Sequence, residues 1–356
     1  MKILHILEPS GIGGVERIVA DIYSNANKGI QIFVAIPKKY KANFISNFEI
    51  QDTKNIIEMD FENTAKFSFK RLKVYRNILN KINPDIIHTH SRKACVFLSI
   101  VNKKAIHFRT QHMQDRDVVP TFDKFLLSRK VDLWIGTSNQ LVQTYIKEQY
   151  GDVLAKCIYN GVTIPESARN YENVKPVKKI GFIGRLNKQK GLDIFIPLLE
   201  KIDSQVRNPY KFIIIGEGEE RGFLEKLVSD LNLNKRIEFL GAKSDIYNEI
   251  LNFDFVVLPS RKEGLPLVLL EAMACGVPVI SNDVGAISEV IIDNQTGFIA
   301  NKEEEWLKLL MDLIDENRDL KNISKNSLEQ IKNSFSVQRM CNEYYNTYND
   351  YKLYTK

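Results

Sequence analysis

Residues 255–281 read FVVLPSRKEGLPLVLLEAMACGVPVIS. The stretch opens with an unbroken apolar run, which is typical of a strand covered on both faces of its sheet. A polar turn follows, and Pro266 marks the start of a helix because proline fits the first helical turn. Gly276 ends that helix, and Val277–Ser281 forms a second apolar run. Strand, helix and strand in this order predict a βαβ unit of a parallel sheet.

The same alternation of apolar runs and helical patterns extends to about residue 300 and predicts an α/β protein with two doubly wound, Rossmann-like domains. The strands predicted for the first domain are Lys2–Leu7, Gln31–Ile36, Ile56–Phe61, Asp85–His88, Ile106–Thr110, Leu133–Thr137 and Lys156–Tyr159. Those predicted for the second are Lys179–Gly184, Lys211–Gly216, Arg236–Leu240, Phe255–Pro259, Val277–Ser281 and Gly297–Ala300. The remainder is helical in pattern and ends in a segment at Val337–Tyr351.

A chain of 356 residues is too long for one comfortable hydrophobic core, so two domains of roughly 100–200 residues each are expected. Residues 166–178 hold few apolar side chains and are predicted to link a domain at 1–165 to a domain at 179–336. The segment 337–356 either packs back on the first domain or covers the sheet of the second. Strand ends of the two domains are expected to face a cleft that binds ligands.

The composition, 44% hydrophobic and 26% charged residues, excludes disordered and low-complexity classes. No apolar run reaches the roughly 18–20 residues of a membrane span, and Met1 leads directly into a predicted strand rather than into a signal peptide. The four cysteines are far apart in sequence and form no CxxC pair, as expected for free thiols in a reducing cytoplasm.

The charge is unevenly distributed along the chain. Residues 1–170 contain 25 Lys and Arg against 16 Asp and Glu, a net charge of +9, whereas the remaining residues carry −3. This asymmetry predicts an anionic partner for the first half. Residues 66–82 are predicted to form an amphipathic helix that either contacts anionic lipid or serves only as a crossover helix on its sheet. Nucleic acid is not expected, because the basic residues lack interleaved stacking aromatics.

Two glutamates flank the start of the helix in the quoted stretch. Glu263 precedes it and Glu271 falls in its second turn. The helix N-terminus suits an anionic phosphate, and carboxylates so placed can accept hydrogen bonds from sugar or ribose hydroxyls. The alternative is that Glu263 caps the helix and Glu271 is a solvated surface residue.

A second segment, GFIGRLNKQKG at 181–191, places cations after a strand. The strand ends at Gly184, and Arg185 and Lys190 follow before the next helix. A guanidinium can bind two phosphate oxygens while an ammonium adds a point charge, so the pair is suited to a pyrophosphate. An ordinary charged loop is the alternative.

A glycine-rich segment, EPSGIGGVER at 8–17, follows the first strand. Its Gly13 and Gly14 allow close approach of the backbone to a phosphate or sugar at the start of the next helix. The spacing is not that of a dinucleotide fingerprint, and the second strand ends in Pro37 and two lysines rather than a carboxylate. An NAD site is therefore not predicted.

Together these segments resemble the retaining, nucleotide-sugar-dependent glycosyltransferases of the GT-B fold, specifically glycosyltransferase family 4 (glycosyl transferases group 1). The resemblance covers nearly the whole chain and rests on Gly13-Gly14-Val-Glu16-Arg17, Asp85-Ile-Ile-His-Thr-His90, Tyr159-Asn-Gly-Val162, Gly184-Arg185…Lys190-Gly191, Gly216-Glu-Gly218 and Glu263…Glu271. The chain departs from the family pattern at Thr163, where an aspartate is common.

The resemblance implies a role for each matched residue. Arg185 and Lys190 would bind the donor diphosphate and stabilise the charge of the leaving group, and Glu271 would hold the ribose. Glu263 would position the sugar rather than act as a nucleophile. The other implied donor-binding residues are Gly13, Gly14, Gly184, Gly216, Glu217, Gly218, Leu240, Gly241, Gly264, Leu265, Pro266 and Leu267.

The histidines fall near predicted strand ends. The resemblance assigns the histidine beside the donor sugar to His112, giving it a catalytic role with Arg185, Lys190 and Glu263. His90 is the rival for that position and, with Arg92 and Lys93, is expected to contact the acceptor. His5, inside the first strand, is expected to be structural.

No metal or cofactor is expected beyond the nucleotide sugar as donor substrate. No histidine or cysteine spacing suggests zinc. Asp115-Arg-Asp117 matches a DxD motif literally but lies among basic residues, where Arg185 and Lys190 already supply positive charge to a diphosphate.

The leading hypothesis is a cytoplasmic, retaining hexosyltransferase that moves sugar from a nucleotide diphosphate to a polysaccharide, lipopolysaccharide or other lipid-linked glycan. It would act in contact with the anionic inner face of the membrane. The first alternative is a nucleotide-sugar epimerase on the same fold, which needs further acid/base groups than His112 and Glu16. The second is a non-catalytic sensor of nucleotide sugars.

Overall fold

The computed structural model describes residues 1–8, 11–61, 69–115, 118–168, 178–316, 318 and 320–353. Contacts divide the chain into two compact units. Unit 1 comprises Met1–Gly161 and Val337–Lys356, and unit 2 comprises Val162–Ser336. Residues 162–165, predicted to end the first domain, therefore group with unit 2. Residues 169–177 of the predicted linker lie outside the described residues.

Unit 1 contains a seven-stranded sheet in which every neighbouring pair is parallel, with the order β3-β2-β1-β4-β5-β6-β7. Its strands are β1 (Lys2–Ile6), β2 (Gln31–Pro37), β3 (Ile56–Met59), β4 (Ile86–Thr89), β5 (Ile106–Gln111), β6 (Leu133–Gly136) and β7 (Ala155–Cys157). The strand order reverses between β1 and β4, which is the switch point of a doubly wound sheet.

Helices cover both faces of this sheet because its strands are apolar on both sides. They are α1 (Gly14–Ser24), α2 (Lys38–Asn47), α3 (Phe69–Ile82), α4 (Arg92–Val101), α5 (Thr121–Lys130) and α6 (Lys147–Tyr150), the last preceded by a π-helical segment at Leu141–Ile146. The final helix of the chain, α14 (Val337–Leu353), also belongs to unit 1. It packs against α1 and buries Met340, Cys341, Tyr344, Tyr345 and Tyr348.

Unit 2 contains a six-stranded parallel sheet with the order β10-β9-β8-β11-β12-β13. Its strands are β8 (Lys178–Ile183), β9 (Tyr210–Ile215), β10 (Ile237–Gly241), β11 (Phe255–Leu258), β12 (Val279–Ser281) and β13 (Phe298–Ile299). Its helices are α7 (Leu192–Asp203), α8 (Arg221–Asp230), α9 (Ile246–Leu251), α10 (Leu267–Ala274), α11 (Ile287–Val290), α12 (Glu303–Ile314) and α13 (Leu320–Ser334).

The two parallel sheets with flanking helices confirm the predicted α/β class, and each predicted strand overlaps an observed one. The predicted basic helix at 66–82 is observed from Phe69 to Ile82, and residues 62–68 lie outside the described part of the chain. Among the described residues, no helix is long and apolar enough to cross a membrane.

Candidate functional site

The cationic loop after β8 and the glutamate loop after β11 lie side by side in unit 2. The two strands are neighbours in the parallel sheet, so their carboxyl ends meet at the same edge. The Arg261 backbone N–H donates to the Gln189 carbonyl at 2.8 Å, and the Gln189 side chain donates to the Lys262 carbonyl at 2.8 Å. These bonds fix the two loops as one structure.

An ion pair reinforces this connection. The Arg261 guanidinium binds both carboxylate oxygens of Asp193, at 2.6 and 2.8 Å, and donates to the Lys188 carbonyl at 2.6 Å. The hydrogen bonds from Arg261 lower the pKa of Asp193 below its ordinary value. Bidentate pairing of this kind adds geometric order as well as attraction, so it orients the loop that carries Lys190.

Lys190 and Glu263 form the centre of the unit 2 site. The Lys190 ammonium lies 2.6 Å from a carboxylate oxygen of Glu263, and the Ser260 hydroxyl donates to the same oxygen at 2.6 Å. Both charged side chains are largely buried, with 16% of the lysine and 6% of the glutamate exposed. Burial strengthens their attraction and makes loss of either partner costly.

Arg185 and Glu271 lie on either side of this centre in sequence and differ in environment. The Arg185 side chain is exposed, and among the described residues it has no ion-pair or hydrogen-bond partner. Glu271 is half-buried in the second turn of α10. That helix begins at Leu267, directly after Gly264, Leu265 and Pro266, so its N-terminus, with its free N–H groups, follows Glu263 by four residues in sequence.

Two glycines that the resemblance implies as donor-binding residues lie against the cationic loop after β8. Gly216 has a φ of +142°, and a Cβ there would lie 1.9 Å from the Gly184 carbonyl oxygen. A Cβ on Gly218 would lie 2.1 Å from the Leu186 carbonyl oxygen. Any side chain at either position would therefore displace the segment that carries Arg185.

Three further residues implied to bind the donor, Glu217, Leu240 and Gly241, adjoin these glycines. The Gly216 N–H donates to the carbonyl of Gly241, which with Leu240 ends β10, at 2.9 Å. Glu217 forms an ion pair with Arg221 one helical turn later.

Two residues of this edge were missed by the sequence reasoning. Ser260 holds Glu263 directly, and a Cβ on Gly285 would lie 2.3 Å from the Glu263 carbonyl oxygen. Gly285 has a φ of +63° and the next residue, Ala286, donates its N–H to Gly264 at 3.0 Å. A glycine following a polar strand end was the available signal.

In unit 1, the glycine-rich segment ends at the start of α1. The Gly13 N–H donates to a carboxylate oxygen of Glu16 at 2.9 Å, and Gly14 is the first residue of the helix. Glu16 is buried and engaged in this contact at the helix N-terminus. Pro9 and Ser10 lie outside the described residues.

Four of the five histidines form one hydrogen-bonded cluster in unit 1. His5 lies in β1, His88 in β4, and His90 and His112 follow β4 and β5. The ring nitrogens of His5 and His90 are 2.9 Å apart, and those of His90 and His112 are 3.0 Å apart. The hydroxyl of Tyr348 in α14 lies between two of these rings, 2.7 Å from Nδ1 of His88 and 3.3 Å from Nε2 of His5.

Burial keeps these imidazoles neutral. It lowers the pKa of His5 and of His112 to about 3, and holds the pKa of His88 and of His90 well below the ordinary value. The nearby buried Arg109 guanidinium acts in the same direction on His112. The remaining histidine, His107, is also buried, with a pKa of about 3.

The three predicted acceptor residues have different surroundings. His90 is buried and both of its ring nitrogens are engaged, so direct acceptor binding would require the cluster to break. Arg92 lies 3.8 Å from Asp123. Lys93 lies 4.0 Å from Glu8 and lines a cavity of about 430 Å³ at the carboxyl edge of the unit 1 sheet, with Pro37, Lys38, Lys39, Tyr40, Met59, Asp60, Phe61, Arg71 and Ser91.

Two groupings bear on metal binding. Ring nitrogens of His5, His88 and His90 lie within 4.8 Å of one another, but they hydrogen-bond within the cluster, and a metal would have to replace those bonds. Asp115 of the DxD match accepts a hydrogen bond from Tyr145 at 2.6 Å, and Arg116 and Asp117 lie outside the described residues.

Comparison with known proteins places the chain among sugar-transferring enzymes. Residues 164–330 match the family model for glycosyl transferases group 1. An uncharacterised glycosyltransferase of Methanocaldococcus jannaschii is 29% identical over 92% of this chain and 93% of that protein. The Escherichia coli UDP-Gal:α-D-GlcNAc-diphosphoundecaprenol α-1,3-galactosyltransferase is 27% identical over 77% of each.

Solved structures show the same fold. The crystal structure of Anabaena HepE in complex with UDP and glucose superimposes with a TM-score of 0.82 at 22% identity. The match covers 98% of this chain and 100% of that one.

Proposed function

Because this chain is a glycosyltransferase of the GT-B fold, we propose that it is a retaining hexosyltransferase of family 4. Its donor is a nucleoside diphosphate sugar, and its acceptor is a cell-surface glycan or a lipid-linked precursor of one. It works in the cytoplasm, at the inner face of the membrane, and requires no metal.

The observation that carries the donor proposal is the contact between Lys190 and Glu263 at the carboxyl edge of the unit 2 sheet. A carboxylate holds the lysine ammonium in place and leaves other N–H donors for a phosphate oxygen. The exposed Arg185 guanidinium supplies a second cation. Two cations placed before reaction stabilise the negative charge that grows on a departing diphosphate.

The acceptor proposal rests on unit 1 and on one relative. Residues 1–170 carry a net charge of +9, and Lys38, Lys39 and Lys93 line the 430 Å³ cavity at the edge of the sheet. The Escherichia coli relative is named for a diphosphate-linked lipid acceptor. A phosphate-bearing acceptor matches both the sign of the charge and this relative.

Replacing Arg185 by alanine is expected to lower the rate of sugar transfer by about a hundredfold, because one phosphate cation is lost while no observed contact is broken. Thermal unfolding should be unchanged. Lys188→Ala, an exposed cation of the same loop, is the matched control and should keep near-normal activity. Transfer would be followed for UDP-, GDP- and ADP-sugars with extracted lipid-linked acceptors, and the anomeric configuration of the product read by NMR.

Several outcomes of this assay would contradict the proposal. An inverted product would refute the retaining mechanism, and equal activity of Arg185→Ala and Lys188→Ala would refute the donor site. Conversion of the donor to an isomer without any acceptor would identify an epimerase instead.

The lipid-linked acceptor predicts binding to anionic vesicles. The double variant Lys38→Glu/Lys39→Glu should bind phosphatidylglycerol vesicles at least about thirtyfold more weakly in a sedimentation assay, at about 1 kcal/mol for each lysine removed. Lys226→Glu, an exposed residue of α8 in unit 2, should have little effect. Equal sedimentation of the protein with neutral and anionic vesicles would exclude this membrane contact.

A further inference from the structure

Helix α5 exposes two aromatic side chains on its outer side. Phe122 and Phe125, one helical turn apart, are 63% and 55% exposed, and Val118, just before the helix, is 90% exposed. Among the described residues nine large apolar side chains are exposed, and three of them fall within these eight positions. The inner side of α5 holds it in unit 1, where Leu127 is buried in the core with Val119. Clustered apolar exposure of this kind marks an interaction site.

Basic side chains flank these two phenylalanines, which we call the α5 stripe. The Arg129 guanidinium lies over the Phe125 ring, 4.0 Å from its centroid. Residues 91–104 and 118–130, which contain α4 and α5, hold seven Lys and Arg against one acidic residue, Asp123, a net charge of +6. Asp123 pairs with Arg92, at 3.8 Å. Five of the cations have no ion-pair partner among the described residues: Lys103, Lys104, Lys124, Arg129 and Lys130.

The α5 stripe begins at the edge of unit 1 that carries the 430 Å³ cavity. Because α5 follows β5 in a parallel sheet, its first turn lies at the carboxyl edge of that sheet. Ser91 and Lys93 line the cavity, and Arg92 between them contacts Asp123, the neighbour of Phe122 in sequence. Helix α4 therefore connects the stripe to the cavity.

An anionic bilayer matches both properties of this face. Phenylalanine side chains enter the boundary between headgroups and acyl chains, while Lys and Arg keep their charges at the headgroup phosphates. A second copy of the chain would meet the face with the same net charge of +6 and be repelled. The other basic helix, α3, buries Tyr75, Ile78 and Ile82 in the core of unit 1, so these apolar residues serve the fold.

We propose that the α5 stripe inserts into an anionic lipid bilayer and anchors unit 1 there, with the cations of α4 and α5 at the headgroup phosphates. That a membrane is a partner of this chain rests on the proposed function, whereas the choice of this face does not. Insertion at the first turns of α5 keeps the edge that carries the cavity close to the bilayer, where a lipid-linked acceptor is held.

Removal of the two rings tests the anchor. Phe122→Ala/Phe125→Ala should bind phosphatidylglycerol vesicles about tenfold more weakly than the wild type in a sedimentation assay, because apolar burial is lost while every charge is kept. Thermal unfolding should be unchanged, since both rings are exposed. The matched control is Phe223→Ala/Ile292→Ala, which removes side chains of unit 2 that are 54% and 49% exposed and should leave vesicle binding unchanged.

A tryptophan at the stripe distinguishes insertion from adsorption by charge. Both native tryptophans, Trp134 and Trp306, are buried, so lipids brominated on their acyl chains should quench mainly an introduced indole. On vesicles of brominated phosphatidylglycerol the fluorescence of Phe122→Trp should be quenched, and that of Phe223→Trp should not.

The outcomes separate this inference from the proposed function. Wild-type vesicle binding by Phe122→Ala/Phe125→Ala, or an unquenched Phe122→Trp on vesicles that sediment the protein, overturns the inference. Loss of self-association instead of vesicle binding would show a contact between copies and also overturn it. Sugar transfer to acceptors extracted into detergent should be unchanged in Phe122→Ala/Phe125→Ala. A protein that inserts but transfers no sugar would refute the proposed function alone, and one that transfers sugar without inserting would refute only the anchor.

Discussion

Replacing Lys190 by alanine is expected to reduce sugar transfer at least about a thousandfold and to destabilise unit 2 by roughly 3 kcal/mol. Two effects combine in this variant. The diphosphate loses a cation held in place before reaction, and the Glu263 carboxylate remains buried with only the Ser260 hydroxyl as a partner at that oxygen. An uncompensated buried charge is more costly than the absence of the pair.

A double variant separates the two effects. Lys190→Ala/Glu263→Gln removes the unpaired charge, so the free energy of unfolding should recover most of the loss while transfer remains undetectable. Unfolding of unit 2 can be followed in urea by the fluorescence of Trp306, which is buried there. If Lys190→Ala alone kept a tenth of wild-type activity, or if the double variant were no more stable than the single one, this account of the pair would fail.

Unit 1 is expected to unfold in mild acid, well before unit 2. All five histidines lie in unit 1 and are buried or partly buried, and burial lowers each pKa from 6.5, to about 3 for His5, His107 and His112. The unfolded chain therefore takes up protons that the folded unit excludes. Stability is fully present above pH 6.5 and falls as the pH drops toward 3.

The size of this effect follows from the number of groups. Below pH 6.5, each histidine lowers the free energy of unfolding of unit 1 by about 1.4 kcal/mol per pH unit. Five histidines therefore lower it by up to roughly 7 kcal/mol at pH 5.5. Asp21 acts in the opposite direction, because burial raises its pKa to about 6 and the folded unit takes up this proton first. Its protonation adds about 1 kcal/mol to the free energy of unfolding at pH 5.5. The net decrease in the free energy of unfolding is comparable with the whole stability of a typical domain.

Each unit contains one tryptophan, which allows the two to be followed separately. Trp134 reports unit 1 in a Trp306→Phe protein, and Trp306 reports unit 2 in a Trp134→Phe protein. Between pH 7 and pH 5.5 the urea midpoint from Trp134 should fall steeply and that from Trp306 should change little. A Trp134 midpoint independent of pH across this range would show that the histidines are not excluded from protons.

The sequence was sufficient to predict the strands. It was also sufficient to predict that cationic and acidic side chains follow β8 and β11 in unit 2. Continuous apolar runs such as Phe212–Ile215 predict buried parallel strands without reference to any partner. The Lys190–Glu263 contact was not predictable in the same way, because the two residues are far apart in sequence and meet only through the pairing of β8 with β11.

The histidine cluster of unit 1 was still less predictable from local sequence. His88 and His90 are two residues apart, which is the one local sign that they share a face of the sheet. His5 joins them because β1 and β4 are adjacent, and Tyr348 reaches them from the end of the chain. Local pattern could not decide whether the segment after residue 336 covers its own sheet or another, since either surface is apolar.

The assignment of α14 to unit 1 has a consequence for synthesis on the ribosome. Unit 2 is one continuous segment and can fold as soon as Ser336 has emerged. Unit 1 begins the chain, yet the buried tyrosines that complete its interior belong to a helix translated after all of unit 2. The usual order, in which the N-terminal domain matures first, is therefore reversed. Unit 1, which contains the histidine cluster, is completed only when α14 has left the ribosome.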